Sequence, residues 1–191
     1  LDYSTYYGSG QGQNIALDSA GSVYIVGQTV DSDFPITTGA FGETFNGNFD
    51  GFIVNFDDSF TRIYASFIGG NLSDCETEYD YKECNVAVND DGEAYILGIT
   101  NSDQFFFSGS SGESYQATKR NGSDLFLMKI NASGSAVEYF TYLGGDGNEL
   151  SFYPDIKLDE NEKVYVTTQT CSSDYPTTGN AYSDNSFGCR D

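Results

Sequence analysis

Cysteine and carboxylate are the side chains with chemistry to offer: the chain has four cysteines, 29 acidic residues and no histidine. Cys75 and Cys84 bracket an acidic stretch, CETEYDYKEC, and Cys171 and Cys189 bracket a turn-rich one, CSSDYPTTGNAYSDNSFGC. Neither pair has the close spacing of a zinc knuckle, and no histidine completes a ligand set, so a zinc site is disfavoured. Of the pairings that four cysteines allow, two local disulfides, Cys75–Cys84 and Cys171–Cys189, are the simplest. Such staples form in oxidising compartments. With the thiols paired and histidine absent, the usual nucleophile–base partnerships are missing. Two carboxylates at the right separation hydrolyse glycosides. So acidic a chain leaves that open, yet no spacing singles out an acid and a base, and the chain reads as not an enzyme.

Acidic turns raise calcium as a structural ligand. Asp18, Asp33, Asp90 and Asp91 are the candidate ligands, and Asp57 and Asp58 lie in a similar turn. Calcium takes about six to eight oxygens, often from one loop, and no segment has the EF-hand or nonapeptide pattern. Turn capping is the plainer use of these residues, and no other cofactor is expected. Three N-x-S/T sequons, at Asn71, Asn121 and Asn131, fall in expected loops and are candidate glycosylation sites. Gly69–Gly70 and Gly144–Gly145 end strands and open no helix, so they do not read as a phosphate cradle.

The formal charge of −21 excludes nucleic acid as a partner and argues against docking on anionic lipid. No apolar run approaches the roughly 20 residues that span a bilayer, so membrane insertion is not expected. The sequence does not begin with Met, which suggests a removed leader or a piece of a longer chain.

A repeat positions all of these residues. VYIVGQT (Val23–Thr29) returns as AYILGIT (Ala94–Thr100) and VYVTTQT (Val164–Thr170), with Tyr24, Tyr95 and Tyr165 spaced 71 and 70 residues apart. Before each copy stand NIALD, NVAVN and DIKLD, apolar at alternate positions, the mark of a strand with one buried face. The turns between are SAGS, DDGE and ENEK. The third lacks the glycine that tolerates positive φ, which predicts a looser turn. DGFIVNF (Asp50–Phe56) matches DLFLMKI (Asp124–Ile130), and IYASFIGG (Ile63–Gly70) matches EYFTYLGG (Glu138–Gly145) and the opening DYSTYYGS (Asp2–Ser9). The loop DSDFPITTGAF recurs as SSDYPTTGNAY. There Asp33 and Asp174 are expected to cap turns, Pro35 and Pro176 to end strands, and Phe41 and Tyr182 to pin the loop down.

Four short strands joined by turns and repeated along a chain predict an all-β fold of antiparallel propeller blades. Residues 1–9 read as the last strand of a preceding blade, 10–70 and 71–145 as two blades, and 146–191 as part of a third. A closed propeller needs about four to eight blades, so this one is incomplete or open.

The stretch YSTYYGS…NIALDSAGSVYIVGQTVDSDFPITTGAF…DGFIVNF resembles the bacterial β-propeller repeat called SBBP. The likeness covers nearly the whole chain, in two full and two partial copies, and is strongest in the first. It implies a large extracellular or surface-attached scaffold, and it supplies no catalytic residues. The sequence is therefore read as a non-catalytic extracellular or cell-surface structural or adhesive module, partnered by copies of itself or the rest of a larger repeat protein. The alternative is a carbohydrate-binding module for surface glycans, with or without calcium.

Non-reducing peptide mapping should recover Cys75 linked to Cys84 and Cys171 linked to Cys189. A cross-link such as Cys84–Cys171 would overturn the reading of two separate staples.

Overall fold

The computed structural model describes residues 3–76, 83–109 and 112–186, with backbone alone for 150–153. Ten strands follow one another: β1 (Gly10–Leu17), β2 (Val23–Thr29), β3 (Asp50–Phe56), β4 (Arg62–Ile68), β5 (Cys84–Val88), β6 (Ala94–Thr100), β7 (Asp124–Ile130), β8 (Val137–Leu143), β9 (Glu149–Leu158) and β10 (Val164–Thr170). They form three antiparallel sheets in sequence order: β1–β4, β5–β8 and the pair β9–β10. No helix occurs among the described residues.

Two of the sheets are apolar on both faces, so neither can stand in water alone. Tyr24, Val26 and Ile53 of the first pack on Val86, Ile96, Phe126 and Met128 of the second. The second turns Tyr95, Leu97 and Leu125 the other way, onto Ile156, Val164 and Val166 of the third. The opposite face of the first sheet carries Phe34, Phe52, Val54 and Phe67, joined by Tyr7. The result is a stack in which β6 and β7 alternate strictly between two neighbours. Full burial of each such side chain contributes about 1.5–3 kcal/mol.

Residues 3–9, expected as a strand, form none. A strand needs a paired neighbour. This segment instead lies on the first sheet through aromatic contacts, Tyr7 edge-on to Phe34 and Phe56 and Tyr3 stacked on Phe60.

Five hairpins share one turn. Each opens on Asp or Asn (Asp18, Asp57, Asn89, Asn131, Asp159), whose carbonyl accepts from a positive-φ residue three places on: Gly21, Phe60, Gly92, Gly134 and Glu162. The opening side chain's Oδ1 also accepts backbone N–H bonds within the turn, as Asp18 does from Ala20 and Ser22 at 3.0 and 2.8 Å. The third copy is not looser as expected. Glu162 adopts φ 59° and its N–H reaches the Asp159 carbonyl at 3.0 Å, because Asp159 Oδ1 also takes the N–H groups of Asn161 and Lys163.

An L-residue at positive φ costs about 1–2 kcal/mol. At Gly134 a new Cβ would also lie 2.3 Å from the buried Tyr64 ring, whereas at Gly92 the nearest atom is 3.2 Å away. Gly92→Ala should destabilise by about 1–2 kcal/mol and Gly134→Ala by about 3 kcal/mol or more. Urea unfolding of the two variants checks the order.

Candidate functional site

The polar groups that recur in space lie where one sheet passes to the next. After β4 and after β8 the chain spells GGNLSD and GGDGNE, ending on Asp74 and Glu149. Asp74 N–H donates to the Phe49 carbonyl of the first sheet at 2.9 Å. Its carboxylate accepts from Gly70 N–H at 2.7 Å, Ser102 Oγ at 2.8 Å and Thr100 Oγ1, the latter two at the end of β6. Glu149 repeats this one junction later. Its N–H donates to Ser123 O at 2.8 Å, and its carboxylate accepts from Gly145 N–H, Thr170 Oγ1 and Ser172 Oγ. Thr100 and Ser102 thus correspond to Thr170 and Ser172. Each carboxylate bridges two sheets and is held by three donors.

A second carboxyl lies beside each bridge, at the first residue of β3 and β7. Asp50 Oδ2 accepts from Asn46 N–H at 2.8 Å. Asp124 Oδ2 accepts from Arg120 N–H and Gln116 Nε2 at 2.9 and 3.1 Å. Asp50, Asp74, Asp124 and Glu149 are all 0% exposed, and the Oδ1 atoms of Asp50 and Asp124 receive no hydrogen-bond donor. Burial pushes Asp50 up to about 8, against its Asn46 bond, and the Asp74 charge adds to the rise. Burial likewise lifts Asp74 to about 6, opposed by Thr100, Ser102 and Gly70. Asp124 and Glu149 are raised for the same first reason. Gly69 and Gly144 lie against these groups. A Cβ on Gly144 would fall 2.4 Å from Asp124 Oδ1 and 2.5 Å from Glu149 Oε2, so both oxygens face one spot.

At the first junction a disulfide joins Cys75 to Cys84, with 5.3 Å between Cα atoms. The bond is the one expected, but its place is not at the surface. Both cysteines are 0% exposed, in the core between the first two sheets. Gln13 of β1 clasps its two ends, donating to Cys75 O at 3.0 Å and accepting from Cys84 N–H at 2.7 Å. Beside it Asn14 donates to Asn85 at 2.9 Å across the sheets. Cys189 lies outside the described residues, and with it the Cys171–Cys189 pairing.

The calcium candidates do not converge. Asp18 serves its own turn. Burial works against its ionisation, but bonds from Ser22, Tyr24 and Ala20 prevail and hold its pKa low. Asp33 accepts no bond as a cap; its N–H is capped by Asp31 Oδ1 at 2.9 Å. Asp174 does accept, from Asp146 N–H at 2.8 Å. Asp90 and Asp91 are exposed at a turn tip. No group of three or more metal-ligating side chains occurs among the described residues. Asn71 and Asn121 are exposed in turns; Asn71 Oδ1 accepts from Gln104 N–H at 3.2 Å and Asn131 Oδ1 from Ser135 N–H at 2.9 Å. Phe41 pins its loop at 2% exposure; Tyr182, its counterpart, stands at 108% and pins nothing. Among the described residues no helix is long and apolar enough to cross a membrane.

No protein-family model matches this chain, and no curated protein matches it.

The paired carboxyls were missed from sequence, although the signal is there: an acid four residues after Gly-Gly, an Asp-x-Phe opening β3 and β7, and a Thr-x-Ser that begins at the last residue of β6 and β10. Sealed from solvent, these pairs cannot reach a glycosidic bond. They can clamp. Ser102→Ala leaves Asp74 a donor short, which costs about 1–3 kcal/mol. The loss should be larger above pH 6 than below, because the serine favours the ionised form. Denaturant unfolding at pH 5 and pH 8 measures the difference.

Proposed function

We propose that this chain is a non-catalytic extracellular or cell-surface structural module, built of blade-like sheets in an open propeller-type array related to the SBBP repeats. The observation that carries this is the reuse of one junction. Tyr24 OH donates to Gly92 O at 3.1 Å in the next sheet's turn, and Tyr95 OH donates to Glu162 at the same place one sheet on. The Asp74 and Glu149 bridges repeat with the same period. Chemistry spent on joining units suits a scaffold. The core disulfide suits an oxidising, extracellular setting.

The third sheet presents the same contact surface outward. Tyr165 corresponds to Tyr24 and Tyr95, which are 2% and 6% exposed, yet it is 57% exposed. A neighbouring unit, from another copy or from further repeats, would cover it. Head-to-tail contacts of this kind propagate unless the rotation closes.

Light scattering and native mass spectrometry of the chain should show concentration-dependent association, weakened by Tyr165→Ser. Electron microscopy of native material should show a fibre or surface array. A monodisperse monomer at all concentrations, or specific glycan binding without association, would overturn the proposal.

A further inference from the structure

Asp50 and Asp124 are unusual among the acids of this chain. Each is 0% exposed, each has one oxygen bonded from the backbone, and each has the other, Oδ1, buried and unpartnered. Each also has a second buried acid for a neighbour. A buried ionised carboxylate with an unmet oxygen costs several kcal/mol, and the fold contains two at equivalent positions. The neighbouring acids differ in one respect: Asp74 and Glu149 each receive three donors, the environment of an ionised group.

We propose that each sheet junction is a proton-loaded latch, in which Asp50 beside Asp74, and Asp124 beside Glu149, keep one proton per pair that leaves a single buried charge at the clamp and is lost as the medium turns alkaline. In the second junction the proton has its acceptor in place, since Asp124 Oδ1 and Glu149 Oε2 converge on one spot at Gly144. In the first, the Asp74 charge faces Asp50 across Gly69–Gly70. In the first pair the proton resides on Asp50, whose Oδ1 has no donor, and in the second it is shared between Asp124 Oδ1 and Glu149 Oε2, which face one spot.

The other charged and titratable groups around the latches are few. Lys119 faces Asp124 and favours its ionised form. Tyr142 lies between the junctions, within the influence of Asp74, Asp103 and Asp124, and Tyr175 feels Glu149, Tyr115 and Asp124. Burial is the first cause that raises both tyrosines, so neither titrates near neutrality. The chain has no histidine, and no described cysteine is free. Between about pH 6 and 9 the background of ordinary side chains is therefore nearly silent.

The sign follows from linkage. Asp50 binds its proton more tightly folded than unfolded, so its stabilisation is complete below the ordinary carboxylate range, near pH 4. It is lost as pH rises through about 8. Within that window unfolding releases a proton, and the unfolding constant rises by up to about tenfold per pH unit for each loaded pair. The inference rests on the stacked sheets alone and not on the assembly proposed above.

The test is thermal and denaturant unfolding of the whole chain from pH 5 to pH 9, for wild type, Asp50→Asn, Asp124→Asn and the double variant, each with EDTA or with calcium chloride. Asparagine places an N–H where the proton sits and cannot lose it. Above about pH 7, past the range in which Asp74 titrates, the wild type should lose stability steadily with pH, each single variant should lose part of that slope, and the double variant should be the flattest of the four. Equal slopes in all four would overturn the proposal. So would a wild type stabilised by calcium at fixed pH in a way Asp124→Asn abolishes, since a cation would then hold both acids ionised. Should a variant fail to fold, the infrared spectrum of wild type at pH 7 decides: a protonated-carboxyl band supports the latch, and its absence overturns it.

Discussion

A sheet with two apolar faces must be covered twice, and that constraint organises this molecule. The second sheet makes it plain. Ile96 and Met128 point to one neighbour, Tyr95 and Leu97 to the other, and all are buried. A sheet with one wet face would alternate apolar and polar residues along each strand. Here β6 reads AYILGIT, with hardly a polar position to expose. Stacking is thus not an addition to folded units but the condition under which they fold. Stability should accordingly be shared among units, with the junctions as the coupling.

Coupling by apolar contact alone would leave the relative slide of two sheets weakly fixed. The polar set at each junction fixes it. Asp74 holds Phe49, Gly70, Thr100 and Ser102 to one carboxylate, and Gln13 holds both ends of the disulfide. Buried polar groups earn little net stability but penalise any register that leaves them unmet. Gly69, Gly70, Gly144 and Gly145 let the backbone come close enough for these bonds.

Much of the strand structure was legible in sequence, because period-two apolarity and turn chemistry are local. VYIVGQT, DGFIVNF, AYILGIT, DLFLMKI and VYVTTQT coincide residue for residue with β2, β3, β6, β7 and β10. What was not legible depends on the third dimension. Asp50 and Asp124 look like any other acid in a chain of net charge −21, and only the stack buries them. Cys75 and Cys84 flank a hydrophilic stretch that masks their place in the core. Tyr182 copies Phe41 in sequence, but among the described residues no carbonyl takes its N–H as Gly134 O takes that of Phe41 at 2.9 Å. The Glu162 turn lacks the glycine that marks its counterparts in sequence, and the Asp159 cap is enough to hold positive φ there.

The junction has a direction. Each tyrosine reaches forward, Tyr24 to the turn of the second sheet and Tyr95 to that of the third, and each bridging acid ties its own Gly-Gly segment to the strand end of the sheet ahead. The forward face therefore differs from the backward face, and two copies of one face cannot satisfy each other. The backward face of the first sheet is covered by the chain itself, where Tyr7 closes over Phe34 and Phe56. The forward face of the third keeps the tyrosine but places Thr167 where Val26 and Leu97 stand. A contact there would join less apolar area than the two internal ones and lean more on hydrogen bonds. It would then be weaker and more readily reversed than the junctions within the chain.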